Sequence, residues 1–558
     1  MLEVHQANAL VYSTLCGFML VGLYAGYRVR NANDFLSGLR TQSAFPLTLN
    51  WFASNMSSSL LFGYPQLAVI PEAGILGLVA YCFATVAPLW FFAWLGPQIR
   101  RICPDGFTLA EYIRRRFGWP VGVLSGLIFV GFMFCFMLVE LNTYGSAVNL
   151  LGGVNPTIAA LVIAIITTIY TTYGGFKASL YTDNVNAIII LIFIVIASIA
   201  VGVKLDIDHA RVESSGLLKP QRLGGELWYI LPAALIFSQM FNQGFWQRAF
   251  ASKDNKTLYI SVICATIPLF AVCMLVGMAG PLAWWSGLFN GPTAEDDGSL
   301  NFFYILGTLP NWLTGIVIVL CGCLSSSAYD TFQSAQISTI QNDVFLGRVN
   351  IWWCRAILIL INIPSVVLAV KNIDILEVFL IADLAAIACI PAFLLGLVPR
   401  LYFLNGVDAV GGAVGGFLTV FLFGTIFFGS ASQGIALIGL PNGLYIDDYS
   451  VLGAFIAAPL GSLGWTFVTC AIRAAVTWVW CKKTGRKFTV FEYREFDVSG
   501  WALPEDRPAG FAGLHGSGNP NDGHKLDRDL EVDADVKRDL SDDGSSAREL
   551  PAVQTQST

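Results

Sequence analysis

Apolar runs of about 20 residues, the length that carries a helix across a bilayer, follow one another along most of this chain. Thirteen can be marked, at roughly 7–27, 46–70, 74–97, 119–147, 156–175, 180–204, 227–250, 257–285, 311–345, 351–370, 374–398, 409–430 and 451–480. Hydrophobic residues make up 55% of the 558 residues and charged residues 13%, too few polar faces for a soluble protein of this length. The pattern predicts an all-α polytopic membrane protein with about 13 transmembrane helices. Lipid supplies no hydrogen bonds, so each span pairs its own peptide groups, and irregular backbone is confined to places where it lines a protein cavity.

Three spans carry polar residues that a passive anchor has no use for. Between Trp51 and Gln66 the second span holds Ser54, Asn55 and Ser57 to Ser59, followed by the breaker Gly63-Tyr64-Pro65. A helix interrupted there frees carbonyls that, with hydroxyls, are hard oxygen ligands for a small cation. The same small residues also suit close helix packing. The ninth span runs Ser325-Ser326-Ser327-Ala328-Tyr329-Asp330, so that two neighbouring hydroxyls can face one ion, with the main-chain carbonyl of Cys323 one turn earlier. In the seventh, Asn242, Gln243 and Gly244 stand beside Trp246, a donor–acceptor cluster suited to a small polar solute. Five spans separate this cluster from the second span, the offset of a five-plus-five inverted repeat with broken helices, the LeuT-like arrangement.

Lone carboxylates within spans mark solute and ion routes. Glu140, followed by Asn142 and Tyr144 in the fourth span, is placed to neutralise a cationic solute or carry a proton; the alternatives are a structural pairing with a tyrosine or an outward-directed side chain. Asp383 in the eleventh span is a weaker candidate of the same kind. Asp183, at the start of the sixth, is expected near the cytoplasmic face, on the path of a departing ion.

Arginine and lysine gather in alternate loops: Arg28, Arg30 and Arg40, then Arg100, Arg101 and Arg114 to Arg116, and finally Lys482, Lys483, Arg486 and Lys487. The opposite loops are nearly free of base, apart from a mixed one at 205–226 with Lys219 and Arg222, and the one at 287–301 carries Glu295, Asp296 and Asp297. The positive-inside rule then puts the N-terminus outside and the C-terminus in the cytoplasm, as expected of a plasma-membrane protein. The first run lacks a basic leader and reads as a retained span. The last stretch, 484–558, rich in Gly, Pro, Asp and Ser, reads as a disordered acidic cytoplasmic tail. Twelve scattered cysteines read as small core residues, and none of the four histidines falls in a span, which argues against haem or metal chemistry. Neither a phosphate loop nor a nucleophile–base cluster points to ATP-driven transport or an enzyme.

Several segments together resemble the sodium/solute symporter family. Asp34-Phe35-Leu36-Ser37-Gly38-Leu39-Arg40 is similar to its DFxxxGR motif, and Ala53 to Gly63 to its first core helix. The stretch Tyr170 to Ser179, with Thr182-Asp183, resembles its most specific signature. Gln247 to Lys253 resembles its QRxxxxK segment, and Ser325 to Phe345 its hydroxyl-rich helix. The resemblance covers about residues 30 to 480 and points towards the eukaryotic urea and polyamine transporters. It implies a cation site from the carbonyls of Ala53 and Met56 and the Ser326–Ser327 region. Two registers fit the hydroxyl helix: one pairs Ser326 with Ser327, the other Ser327 with Ala328 and so loses a hydroxyl, leaving proton coupling open. Asn55 stands where some members carry a carboxylate.

The expected activity is symport of Na+ or H+ with a small polar solute, urea or a polyamine, without an organic cofactor; the alternative is a nutrient-sensing, transporter-like receptor that signals through its tail. The cation would meet Ala53, Met56, Cys323, Ser326 and Ser327, and the solute Gln66, Glu140, Asn142, Asn242, Gln243 and Trp246. Residues 1–45 form an extra span and loop, 46–204 and 205–398 the two repeats, and 399–483 two C-terminal spans. The solute and the bilayer are the expected partners, with cytoplasmic regulators of the tail and no nucleic acid.

Overall fold

A helix that crosses lipid within a bundle turns one apolar face to hydrocarbon and another to its neighbours. Ile188, Ile192, Val195 and Ile199, three and four apart in sequence, form one exposed stripe, while Ala187, Ile190, Ile194 and Ala197 are buried. The structure, a computed structural model, describes residues 2–30, 32–104, 106–293, 296–369, 375–441, 443–446 and 448–492. Glu295 and all but the first residues of the tail at 484–558 lie outside the described residues.

Among the described residues the regular structure is helical, and ten helices are long and apolar enough to cross a membrane. One of these, Pro156–Lys204, is two spans joined at Gly175, where the backbone takes φ 56° and ψ −142°. Asp330 Oδ2 accepts hydrogen bonds from both Tyr170 and Thr182, each at 2.7 Å. A straight helix would hold those two positions about 18 Å apart, so the chain doubles back between them. Two further crossings are broken helices, Ala44–Ser54 with Leu60–Ala68, and Arg222–Gln239 with Gln243–Ala251. With these, the thirteen spans expected from the sequence are all present.

Spans begin where a side chain satisfies the free amides of the first turn. Asn155 accepts from the Ile158 amide ahead of Pro156, Asp254 from that of Thr257, and Asn405 with Asp408 forms a reciprocal cap.

The hydroxyl-rich helix Asn311–Thr339, continued by one wide turn at Ile340–Val344, lies at the centre, every residue from Cys321 to Asp343 buried. A helix so placed has no lipid face, and its polar side chains are met by neighbours. Gln333 donates to Thr168 Oγ1 (2.8 Å) and to Asn362 Oδ1 (2.7 Å), which also accepts from Tyr329 at 2.7 Å.

The reversal at Gly175 tolerates no side chain: a Cβ would lie 2.2 Å from the Phe35 carbonyl oxygen, at a positive φ. Gly175→Ala is therefore expected to destabilise the purified protein by about 1–3 kcal/mol or more, read as a lowered melting temperature in detergent. Gly202→Ala, where a Cβ meets nothing within 4 Å, should hold or raise it. Equal shifts for the two variants would contradict this account of the hairpin.

Candidate solute and ion site

The first broken helix stops at Ser54 and resumes at Leu60. The interruption lies ahead of Gly63-Tyr64-Pro65, which falls inside the second half; proline costs that half one bond, whereas the serines supply rival partners for the backbone. Asn55 donates its side-chain amide back to Trp51 O (2.7 Å), and Ser57 Oγ accepts from the Ser59 amide at 3.1 Å. The Ser58 amide goes to Glu140 Oε1 at 2.9 Å. The carbonyls of Asn55 and Met56 accept no hydrogen bond from a described residue, while Ala53 O accepts from the Met56 amide at 3.0 Å, which leaves it one lone pair.

Glu140, on the helix Trp119–Gly152, is 3% exposed and gathers the break into one cluster. Its Oε1 accepts from the Ser58 amide, from Ser58 Oγ at 2.7 Å and, across the bundle, from Ser325 Oγ at 2.7 Å. Its Oε2 accepts from Ser57 Oγ. Every donor is neutral, and no basic side chain pairs with Glu140 among the described residues. Hydrogen bonds to a charged group contribute about 1.5–3 kcal/mol each, so the cradle holds a carboxylate in place without cancelling its charge. Oε2, with one protein donor, keeps room for another.

That carboxylate lines a cavity of about 170 Å³. The wall runs from the break (Asn55, Met56, Ser57) past Phe136, Phe332 and Asn242 to Tyr64, Tyr81, Tyr445 and Asp383. No lysine, arginine or histidine contributes to it.

The second broken helix serves a different purpose. Asn242 caps its second half, accepting from the Gly244 amide at 3.1 Å, and faces the cavity. Beyond it Gln243–Ala251 is buried throughout. Arg248 is fully buried with Asp183, to which it donates; it also donates to Thr331 Oγ1 at 2.8 Å. Ser327 donates to the other Asp183 oxygen. Next to this group Asp330 is held by Tyr170, Ser179 and Thr182, each at 2.7 Å. The segment preceding the first broken helix closes over the same end: Gln42 N meets Ala251 O at 2.9 Å, Lys253 N meets Gln42 O at 3.1 Å, and Gln247 donates to Leu36 O at 2.7 Å.

Met56, Glu140 and Asn242 thus border one cavity, while several other residues named from the sequence lie off it. Gln66 donates to Asp297 at 2.6 Å, next to a loop; Asn142 donates to Ala369 O at 3.1 Å. Gln243 accepts the Leu109 amide at 2.8 Å and ties its own turn, and Trp246 donates to Met240 O at 3.0 Å while packing on Phe92. Ser326 donates to Cys323 O at 3.3 Å and accepts from Asn186 at 3.4 Å. Asp183 is fully buried, with Arg248 on one oxygen and Ser327 on the other. Nothing in the sequence singles out Tyr81 or Tyr445 for the cavity wall, and Ser238 merely opens the polar run of the seventh span; for Asp383 the signal is a carboxylate costing about 2.5–3.5 kcal/mol in an apolar span.

Comparison with known proteins fits this geometry. The model of the "Sodium:solute symporter family" matches residues 35–400. The chain is 41% identical over 489 residues to the spermidine transporter DUR31 of Candida albicans, 87% of this chain and 93% of that protein. It is 24% identical over 207 residues to the probable urea active transporter 1 of Schizosaccharomyces pombe, 34% of this chain and 31% of that one. Among solved structures, a Na+-coupled sialic acid symporter in a substrate-bound, outward-open state aligns with a TM-score of 0.64 at 17% identity, covering 82% of this chain and 97% of that one. Mhp1, a nucleobase-cation-symport-1 family transporter in a closed conformation, gives 0.52 at 13% identity over 79% and 96%. Such distant likenesses speak to the fold alone, the LeuT-like inverted repeat with broken helices. A multi-pass membrane protein built for moving a small solute, and not an enzyme, the chain belongs to the sodium:solute symporter family.

Proposed function

We propose that this protein is a secondary active symporter that carries a polyamine of the spermidine class into the cell with a coupling cation. One observation carries the choice of solute: the central cavity presents carboxylates and no base. An anionic pocket in a low-dielectric surround favours an ammonium over a neutral solute such as urea. The 41% identity to a spermidine transporter along nearly its whole length supports the same reading.

The coupling ion is Na+ in this proposal, with H+ as the alternative. Ala53 and Met56 offer carbonyl oxygens at the break. The Ser326 and Ser327 hydroxyls act as donors to Cys323 O and Asp183, and although Ser326 also accepts from Asn186, each keeps a lone pair for a cation; Cys323 O completes the set. A cation at this position joins the first broken helix to the hydroxyl-rich helix and favours the state in which the cavity is open to the outside. Base-rich loops support a cytoplasmic C-terminus, and uptake into the cell places the protein in the plasma membrane. The contacts among Leu36, Gln42, Gln247, Arg248 and Asp183 then close the cytoplasmic side, and release of solute requires them to part. Spermidine carries three positive charges, so an inside-negative potential of 100 mV alone contributes about 7 kcal/mol to its entry. The ion gradient adds to that driving force and, at zero potential, supplies it.

In cells lacking their own polyamine uptake, expression is expected to confer saturable uptake of labelled spermidine that excess urea does not displace. Glu140→Gln, at equal surface abundance, should lower it at least about tenfold, since 1.4 kcal/mol is tenfold in affinity. Undiminished uptake by the variant, or displacement by urea, would contradict the proposal.

The ion site has its own test. Ser326→Ala and Ser327→Ala should each raise the half-saturating Na+ concentration by roughly tenfold, while the spermidine dependence at saturating Na+ changes less. If both variants keep the wild-type ion dependence, the cation binds elsewhere.

A further inference from the structure

A second charged feature of the cavity is left over once Glu140 is assigned. Asp383, on the helix Ile375–Leu394, is 8% exposed and opens on the same cavity. It differs from the other acids of the bundle. Asp183 has Arg248, Asp330 has three hydroxyl donors, and Glu140 has an amide and three hydroxyls. No ion pair reaches Asp383 among the described residues. On the same wall stands Ser238, 1% exposed, whose hydroxyl lies beside the Asp383 carboxylate but meets no described residue in good hydrogen-bond geometry. A buried hydroxyl left without a partner points to a ligand that supplies one.

The remaining wall is aromatic. Tyr64 and Tyr81 stack with ring centroids 4.1 Å apart and planes within 6°, and both line the cavity with Tyr445. Carboxylate, free hydroxyl and ring faces together are the chemistry that holds an ammonium: an ion pair, a hydrogen bond and cation–π contact. Phe136 and Phe332 stand along the wall with Glu140, and apolar sides suit the methylene chain between two ammonium groups.

We propose that Asp383, Ser238, Tyr81 and Tyr445 form a second ammonium subsite, so that a linear amine is held at two charged ends, one by Glu140 and one by Asp383. The subsite rests on the reading of the protein as an amine carrier and adds to it the basis of selectivity: the carrier distinguishes a diamine or triamine from a monoamine of the same length. Asp383 acts by touching solute, and Ser238 by accepting one hydrogen bond from the ammonium beside it.

Putrescine and butylamine have the same four-carbon chain and differ in one terminal ammonium, which isolates the subsite. Inhibition of labelled spermidine uptake by each is measured in cells expressing the full chain, with surface abundance quantified. In the wild type, half-inhibition by putrescine is expected at a concentration at least about tenfold below that of butylamine. In Asp383→Asn the ratio should collapse to within about twofold, and in Asp383→Glu, which keeps the charge, most of it should return. Ser238→Ala provides a milder variant in case the Asp383 changes reduce folding, with the ratio expected to fall by about threefold. A ratio unchanged in Asp383→Asn and Ser238→Ala, or a wild type that does not prefer the diamine, overturns the subsite while leaving amine transport standing. A wild type that takes up no spermidine and binds neither amine overturns the amine reading itself and the subsite with it.

Discussion

A peptide group with no partner costs a membrane helix several kcal/mol, and the break at Asn55–Ser59 takes several out of the helical ladder. Glu140 answers for the costliest part of it. One carboxylate oxygen accepts the Ser58 amide that the helix no longer pairs, then takes Ser58 and Ser325 hydroxyls as well. An unpaired polar group in an apolar surround costs on the order of 2–7 kcal/mol, so the break and the carboxylate depend on each other. This dependence sets the neighbourhood: the Glu140 helix must pack against the break, and the hydroxyl-rich helix must present Ser325 to both. A cavity follows where the unwound backbone cannot pack.

The acids of the bundle then divide by what surrounds them. Asp183 is cancelled by a buried arginine, and removing one member of such a pair costs about 3–5 kcal/mol, which identifies it with the closure of the bundle around Gln243–Ala251. Asp330 is held by three hydroxyls and ties the hairpin at Gly175 to the hydroxyl-rich helix. Glu140 and Asp383 share a cavity, and no basic side chain pairs with either among the described residues. In the proposed mechanism an acid that has no basic partner and also borders the cavity is open to a cation that arrives from outside, and this combination, not the number of acids, separates scaffold from site.

Much of this was legible in the sequence because the bilayer is a severe filter. Length and apolarity located the spans, including the two within Pro156–Lys204, between which Gly174, Gly175 and Lys177 interrupt the apolar run. Polar interruptions located both broken helices, and Glu140 and Asn242 stood out as residues that an apolar span does not carry without reason. The exact point of the first break was not legible: Pro65 is the stronger breaker by itself, but Ser58 has a partner 82 positions away in Glu140. The same limit applies to Gln243 and Gln66, whose partners, the Leu109 amide and Asp297, come from distant segments. Composition tells that a polar side chain must be satisfied; only the packing tells by whom. The wall made by Tyr81, Ser238, Asp383 and Tyr445 is drawn from four separate spans and loops, and tyrosines in spans are ordinary.

The central claim is that a cation gradient drives an amine through this cavity. Its most direct test is accumulation of labelled spermidine by proteoliposomes of the purified protein with the membrane potential clamped at zero, so that the charge of spermidine supplies no driving force. With an inward Na+ gradient, or an inward proton gradient in the alternative coupling, internal spermidine should rise transiently above the external concentration and fall back when an ionophore dissipates the gradient. Equilibration to the external concentration and no further, whichever gradient is imposed, would contradict symport and leave only a facilitative pore or carrier.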